Sequence, residues 1–480
     1  MTAKQKKILI LGGGAFVALV LAAFLFAVNL AADFCKPRIE SVASEATGLD
    51  VRIQGKMAIS FLPLGLSAED VHVENRGAEI ASLKRIRLGV ELMPLLKKEL
   101  RVTSCDVEKP TVTIVKASDG TFNFQGGGTR STGGPPVAAF SLNDLKLSNG
   151  ALVHLDEKTG EKTEFRDLNL AINDLVIGST SGSIIRGSSF TGSLDCKEMR
   201  KGNLRIDNVK SSMNMEKGVI HLTPLTMDIF GSRGEGDVTV DESEADAVYG
   251  INLRVSRLDF AKLEESFGGG KVIGGRGDLN ASLTMKERKN RNPMSEVAGT
   301  LSLRGDDLVT YTVDLDKVLS SYEASQQFSL VDLGAFFIAG PLSVIALRGY
   351  GFAAVLRQAS GGQGTIMQFI SHWKIKDGVA EATDCALATR HTRVALKGKL
   401  DLVNGRYEDG AIVALLDEKG CAKLQQGIGG LLGSPQVGGA AGAAKSLGGP
   451  FTDLFKRARR LVQGGKCEVF YSGAVRQPPG

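Results

Sequence analysis

The sequence predicts a mainly β protein, in which an N-terminal transmembrane helix precedes a series of antiparallel β-strands with a few short helices, mostly near the ends. Glycine supplies 59 of 480 residues and aromatic residues only 6%, which favours many turns over helical bundles. Apolar residues also alternate with polar ones in short runs separated by Gly, Asn and Asp, as in half-buried strands. A single long apolar stretch at the N-terminus is the third observation.

That stretch, Ile8 to Ala32, carries no charged side chain and follows the basic leader MTAKQKK. A helix of this length spans about 37 Å, enough to cross a hydrocarbon core of about 30 Å. We therefore expect a membrane anchor that includes Ile8, Leu19, Phe24 and Val28. The leader lysines place the N-terminus in the cytoplasm and the chain from residue 33 onward outside it. A cleaved signal peptide is the alternative, although its apolar region is usually about 7 to 15 residues long.

The remaining chain divides where its composition changes. The stretch CKPRIESVASEATG predicts a short helix after the anchor, ending at Gly48, and GGGTRSTGGPP marks a linker. The predicted order is a leader and anchor (1–32), an N-terminal β region (33–125), a Gly/Pro linker (126–136), a β meander (137–310), a helix-containing β region (311–425), a glycine-rich mobile loop (426–449) and an amphipathic helix with a final strand (450–480).

Candidate lipid-binding residues lie where apolar side chains step by two along the predicted strands. Val51, Ile53 and Ile59 follow this period in the N-terminal β region, and Val153 and Leu155 follow it in the meander. If the strands form one strongly curved sheet, its apolar face becomes a trough that suits acyl chains. Composition alone favours the alternative, an ordinary β-sandwich or solenoid whose inner face packs against itself. The period does not say which alternation faces inward.

The cysteines argue against a metal site. Six cysteines show no CxxC spacing, and none of the five histidines lies near them in a zinc-finger register. Cys421 and Cys467 flank the glycine-rich stretch, and in an oxidising compartment they are candidates for a disulfide. Cys105, Cys196 and Cys385 lie in predicted strands, where a cysteine acts as a small buried apolar residue.

The C-terminal stretch PFTDLFKRARRLVQ predicts a basic amphipathic helix. Phe451, Leu454 and Phe455 fall on one helical stripe, and Arg457 and Arg460 lie beside or opposite it. Such a helix can rest on an anionic membrane surface. It can equally cap the sheet and expose its charged face to water, and the sequence leaves both interpretations open.

The sequence shows no recognisable catalytic constellation. FGGGKV lacks the Ser or Thr that a phosphate-binding loop needs after its lysine, and GSRGEG precedes a predicted strand instead of a helix. Neither GxSxG nor HExxH occurs. The net charge of +5 is spread among acidic residues, so no basic face for nucleic acid is visible. We expect no enzymatic activity, no cofactor, no metal and no nucleic-acid partner, and an envelope-modifying enzyme with scattered active-site residues is the alternative.

The order of several short motifs resembles the AsmA family. GLDVRIQGKMAISFLPLGLSAEDVHVEN follows the predicted anchor, and PLL, KP and DGTFNF follow in turn. The residues that carry this resemblance are Gly48, Gly55, Pro63, Pro94, Leu95, Leu96, Pro110, Asp119, Gly120, Asn123 and Phe124. Near the C-terminus, GVAEATDCALATRHTRVALKGKLDL and KGCAKLQQGIGG are also similar to AsmA-type proteins.

The resemblance implies a bacterial protein anchored in the inner membrane, with its bulk in the periplasm. It also implies that the strands form an elongated, curved antiparallel β-sheet, a groove that would carry phospholipid toward the outer membrane and support envelope assembly. The implied partners are membrane phospholipids, the inner membrane through the N-terminal helix, and outer-membrane or envelope proteins. A non-transporting scaffold that assists outer-membrane protein assembly is the alternative function.

Overall fold

The computed structural model consists mainly of β-strands joined by short turns, with few short helices among its described residues, which confirms the mainly β part of the predicted fold class. The described residues are 36–45, 47–61, 64–91, 102–125, 140–178, 185–267, 271–288, 291–311, 314–317, 362–432, 434–438, 467 and 469–478. Outside them lie the predicted anchor and amphipathic-helix residues Ile8, Leu19, Phe24, Val28, Phe451, Leu454, Phe455, Arg457 and Arg460. Among the described residues, no helix combines the length and apolar composition needed to cross a membrane.

The chain folds as two units. Unit 1 contains Met1–Lys201 and Ser212–Lys217, and unit 2 contains Gly202–Ser211 and Gly218–Gly480, so β10 (Leu204–Glu216) has residues in both. The other elements of unit 1 are α1 (36–45), β1 (Asp50–Ile53), β2 (Met57–Phe61), β3 (Leu64–Asn75), β4 (Ala78–Val90), β5 (Val102–Glu108), β6 (Thr111–Lys116), β7 (Phe140–Asp156), β8 (Glu161–Ile177), a 3₁₀ turn (Ile185–Gly187) and β9 (Ser189–Lys201).

Unit 2 continues with a longer series of strands and one short helix. Its elements are β11 (Val219–Ile229), β12 (Ser232–Asp241), β13 (Val248–Asp259), α2 (Phe260–Ser266), β14 (Ile273–Gly274), β15 (Arg276–Lys286), a 3₁₀ turn (Pro293–Glu296), β16 (Val297–Thr310), β17 (Gly364–Lys376), β18 (Val379–Ala388), β19 (Arg393–Asp401), β20 (Arg406–Leu416), β21 (Ala422–Leu431) and β22 (Ser434–Gly438). Asp259 caps α2 by accepting the Ala261 N–H at 2.9 Å.

The sheet of unit 1 is mixed, which corrects the prediction of a purely antiparallel sheet. Strand β3 pairs antiparallel with β1 and β2 along one side and with β4 along the other. Strands β5 and β6 both pair in parallel with β7, and β7, β8 and β9 continue antiparallel. Parallel neighbours need a long crossover connection. Residues 117–139, which include the predicted Gly/Pro linker, supply that connection between β6 and β7.

Asn123 of the DGTFNF motif completes the hydrogen bonding beside β6. Its side-chain oxygen accepts the Val115 N–H at 3.0 Å, and its amide nitrogen donates to the Thr113 carbonyl at 2.7 Å. The side chain of Asn75, at the end of β3, donates in turn to the Asn123 carbonyl at 2.7 Å. The motif therefore satisfies backbone groups of β6 that an adjacent strand would otherwise pair.

Unit 2 is antiparallel throughout its described residues. Strands β11, β12, β13, β15 and β16 pair in chain order, β17 to β22 continue from β16, and the short β14 also pairs with β16. One side of this sheet carries a large core in which Leu303 and Trp373 are completely buried. Helix α2 adds Phe260, whose ring meets that of Phe369 edge-on at 6.2 Å. The helix and the strands therefore share one closed core.

The other side of β18, β19 and β20 carries alanines and packs against residues 469–478. Tyr471 donates its hydroxyl to Asp384 Oδ1 at 2.6 Å, which fixes the start of this segment. Arg393 donates to the Val475 carbonyl at 3.2 Å, which fixes its middle. Both sides of these three strands are therefore covered.

Candidate functional site

An apolar row crosses the sheet of unit 1, because the strand register pairs an apolar residue of each strand with an apolar residue of the neighbouring strand. A second row runs along the same side, which we call the apolar face. The first row, from β1 to β9, is Val51, Val73, Ala81, Val112, Leu152, Phe165 and Met199. The second row, from β2 to β9, is Met57, Ala68, Ile86, Val107, Leu147, Leu170 and Leu194.

The apolar face is only partly covered. Every residue of the first row is half-buried, and in the second row only Met57 and Ala68 are buried. These two form a small cluster with Ile53 and Val71 at the β1 end of the face. Apolar surface that stays accessible to water gains free energy when an apolar ligand covers it. The geometry is therefore suited to binding an elongated apolar molecule.

The opposite side of this sheet, the polar face, carries ion pairs. Arg85 lies 2.8 Å from Glu69 and 3.3 Å from Glu108, and Arg166 lies 3.3 Å from Glu198. Such pairs between accessible side chains contribute little to stability. They do keep this side hydrated, so the two sides of the sheet differ sharply in polarity.

The structure separates the five residues that the sequence singles out for lipid. Those on the apolar face are Val51, Ile53 and Ile59. Val153 and Leu155 lie on the polar face instead, because Val153 pairs with Glu164 and Leu155 pairs with Lys162. The residue of β7 that joins the apolar row is Leu152, immediately before Val153. In β7, the residue placed to bind an apolar ligand is therefore Leu152 and not Val153.

A β-bulge at Ser148 and Asn149 causes this reversal. Asn149 has a φ of 54°, and the register between β7 and β8 shifts between Leu147 and Gly150. A bulge inserts an extra residue and restarts the alternation of side chains. Leu147 and Leu152 consequently share the apolar face although five positions separate them. A strict period of two would place Leu147 and Leu152 on opposite sides of the sheet, so it cannot predict this arrangement.

A residue with a left-handed φ also occurs within β3 and within β8. Asp70 and Asp167 have φ values of 55° and 50°. Each follows a charged residue, Glu69 or Arg166, and residues of lower exposure flank each pair. Aspartate and asparagine tolerate the left-handed conformation better than most residues. Two consecutive polar residues inside an alternating run, the second being Asp or Asn, are therefore the sequence signal for these left-handed residues.

Helix α1 lies at the β1 end of the apolar face. Ile39 packs against the buried cluster around Ile53. Glu40 Oε1 accepts the Ile53 N–H at 2.6 Å, and Ser44 Oγ accepts the Val51 N–H at 2.9 Å. Strand β1 pairs with β3 along its other edge. The helix therefore supplies acceptors for the edge of β1 that faces it, and it covers one end of the apolar face.

The five described cysteines form one disulfide and three free thiols, of which Cys196 and Cys385 are buried and Cys105 is half-buried. Cys421 is bonded to Cys467. The Asp417 carboxylate lies within 4.8 Å of both sulfurs, but sulfurs bonded to each other cannot bind a metal as thiolates. Burial raises the pKa of Cys385 to about 12 and also raises the pKa of Cys196, so both remain thiols at neutral pH. Within the described residues, no other group of His, Cys, Asp and Glu side chains is close enough to hold a metal ion.

Comparison with known families relates the chain to one of them. The model of the AsmA family matches it twice, over residues 2–199 and 192–385. No curated protein and no solved structure matches the chain. The first matched region includes every residue of both apolar rows, and the second extends through most of β18.

Proposed function

The chain belongs to the AsmA family, and from this premise we propose that it carries phospholipid from the inner toward the outer membrane. The observation that supports this role is the apolar row from Val51 to Met199, whose members are all half-buried. Each CH₂ group that this row shelters from water contributes roughly 0.8 kcal/mol. The acyl chains lie on the apolar face, and the headgroup stays in water.

We propose an inner-membrane anchor and a periplasmic location for the rest of the chain. The predicted span from Ile8 to Ala32 supports the anchor. The disulfide between Cys421 and Cys467 supports the location, because disulfides persist in oxidising compartments such as the bacterial periplasm. These two arguments are independent of each other, since one rests on the N-terminus and the other on the C-terminal part of unit 2.

The transfer proposed here needs no catalytic step and no cofactor. Lipid moves between apolar surfaces without making or breaking a bond, so the lipid pools at the two ends, or an envelope partner, set the direction. The non-transporting scaffold for outer-membrane protein assembly is the alternative, and it requires no bound lipid.

The test uses two adjacent residues of β7 that face opposite ways. Leu152→Glu places a carboxylate in the apolar row, between Val112 and Phe165. Because burying a charge in an apolar site is costly, lipid transfer should fall by at least about tenfold. Val153→Glu adds the same charge to the polar face and should leave transfer unchanged. The measurement is transfer of a fluorescent phospholipid between vesicles by the purified full chain.

Lipid that copurifies with the wild-type chain, identified by mass spectrometry, gives a second readout. Loss of this lipid in Leu152→Glu and its retention in Val153→Glu would agree with the transfer result. Absence of both copurified lipid and transfer in the wild-type chain would refute the lipid role and favour the scaffold. Equal transfer by both variants would refute the apolar face as the lipid path.

A further inference from the structure

Among the described residues of helix α1, one large apolar side chain packs against the strands of unit 1. The inward side of the helix carries this residue, Ile39, and three polar ones. The polar contacts are those of Glu40 and Ser44 with β1 and a hydrogen bond from Lys36 Nζ to the Gly55 carbonyl at 3.2 Å. Val42 points outward and is 59% exposed. Elements held by so few buried apolar contacts open at low cost.

The position of α1 relates it to the apolar face. Ile39 packs on the buried cluster at the end of that face, and the first residues of both rows, Val51 and Met57, belong to the same group of packed side chains. An acyl chain bound along the two rows would therefore lie next to Ile39. The described part of the helix starts at residue 36, and the predicted anchor ends at Ala32 in the sequence.

Gly48 provides the joint on which α1 could turn. Its N–H donates to the Ser44 carbonyl at 2.8 Å, and its φ of 70° is the left-handed conformation that ends many helices. Strand β1 starts directly afterward, at Asp50. The helix can therefore swing away from β1 while β1 stays paired with β3.

We propose that α1 is the entry gate of the apolar face, and that an incoming acyl chain replaces Ile39 as α1 moves away from β1. This proposal rests on the proposed function and adds the point of entry. Lipid that leaves the inner membrane would meet α1 before any other described element of the chain. The rate of loading, more than the number of lipids bound, would then depend on α1.

A covalent lock tests the gate. The main-chain N–H of Val51 donates to Ser44 Oγ, so residues 44 and 51 are close, and in Ser44→Cys/Val51→Cys a short bismaleimide joins the two thiols. The bridged full chain should take up fluorescent phospholipid from phosphatidylethanolamine and phosphatidylglycerol vesicles about tenfold more slowly than either single variant given the same reagent. Uptake at the rate of the single variants would overturn the proposal.

A pair of truncations tests the gate in the opposite direction. Ile39→Ala removes the inward apolar contact, whereas Val42→Ala removes the same kind of side chain from the outward side of the helix. Ile39→Ala should speed uptake several-fold and Val42→Ala should not change it; equal rates would overturn the proposal. If the wild-type chain takes up no lipid at all, the proposed function fails. If it takes up lipid at a rate that neither the lock nor the truncation changes, only the gate is refuted.

Discussion

The two units share a strand period but cover their apolar sides differently. In unit 2, Leu303, Trp373 and Val413 are completely buried, and α2 packs Phe260 into the same core. In unit 1, every member of the first apolar row keeps part of its surface accessible. Covering that row would stabilise unit 1 through the hydrophobic effect. An accessible row therefore reduces stability, which fits the binding role proposed for it.

This difference predicts unequal costs for the same truncation. Leu303→Ala leaves a cavity in a closed core and should lower the free energy of unfolding by about 4 kcal/mol. Leu170→Ala removes a half-buried side chain of the apolar face and should cost about 1 kcal/mol. Guanidinium unfolding followed by fluorescence of Trp373, the only tryptophan in the sequence, reports unit 2. Hydrogen exchange of the β8 amides reports unit 1.

Equal costs would contradict the comparison, because they would mean that the apolar face is a closed core in solution. Added phospholipid provides the matched control. It should slow hydrogen exchange in β7 and β8 of unit 1 and leave the Trp373 transition of unit 2 unchanged, since a ligand stabilises only the part of the molecule that binds it.

A buried carboxyl group should make unit 2 more sensitive to pH than unit 1. Glu264 of α2 accepts the Val272 N–H at 2.8 Å and the Ile273 N–H at 3.1 Å, and burial raises its pKa from 4.5 to about 7. Because the folded pKa is the higher one, the stabilising contribution is fully present below pH 4.5 and is lost as pH rises through about 7. Glu264→Gln should remove roughly 2 kcal/mol of pH-dependent stability.

Urea unfolding at mildly acidic and mildly alkaline pH, followed by Trp373 fluorescence, measures this effect. The control is Glu164→Gln on the polar face of unit 1, where a hydrogen bond from Lys162 lowers the pKa of an accessible carboxyl group. This control should leave the pH dependence of unit 2 unchanged. If the Glu264→Gln protein keeps the full pH dependence of the wild type, another group must cause it.

Local signals predicted the β content, the turns and the short helix before β1. Alternation with a period of two follows from strand geometry, and Gly or Asn at turns follows from the left-handed conformation. Cys421 and Cys467 could be singled out because they flank one glycine-rich stretch. Each of these inferences uses residues close to one another in the chain.

The register of the sheet could not be predicted in the same way. The parallel pairing of β5 and β6 with β7 depends on contacts across residues 117–139. The side of the sheet that Val153 faces depends on the bulge at Asn149, which strict alternation ignores. Nor does the sequence alone show that Ile39 faces the apolar cluster while Val42 faces solvent. Each of these facts comes from pairing between elements.

Left-handed residues within strands are a feature that the two units share, and their substitution carries the smallest predicted effect. Asn149 of unit 1 and Asp307 of unit 2 are exposed and have φ values of 54° and 51°. A β-branched residue is strained in this conformation, so Asn149→Val and Asp307→Val should each cost about 1 kcal/mol. Glycine adopts it freely, so Asn149→Gly and Asp307→Gly should change stability little. Chemical denaturation with the two unit-specific probes measures all four variants.

The two valine variants should differ in function even though they cost the same stability. Backbone strain does not depend on how well an apolar side is covered, so the closed and the accessible unit lose equal free energy. In unit 1, however, Asn149 sets which residues of β7 lie on the apolar face. Asn149→Val should disturb the alternation at Leu152 and Val153 and slow phospholipid transfer, whereas Asp307→Val should not. Normal transfer by a destabilised Asn149→Val protein would show that the left-handed residue bends β7 without selecting its apolar side.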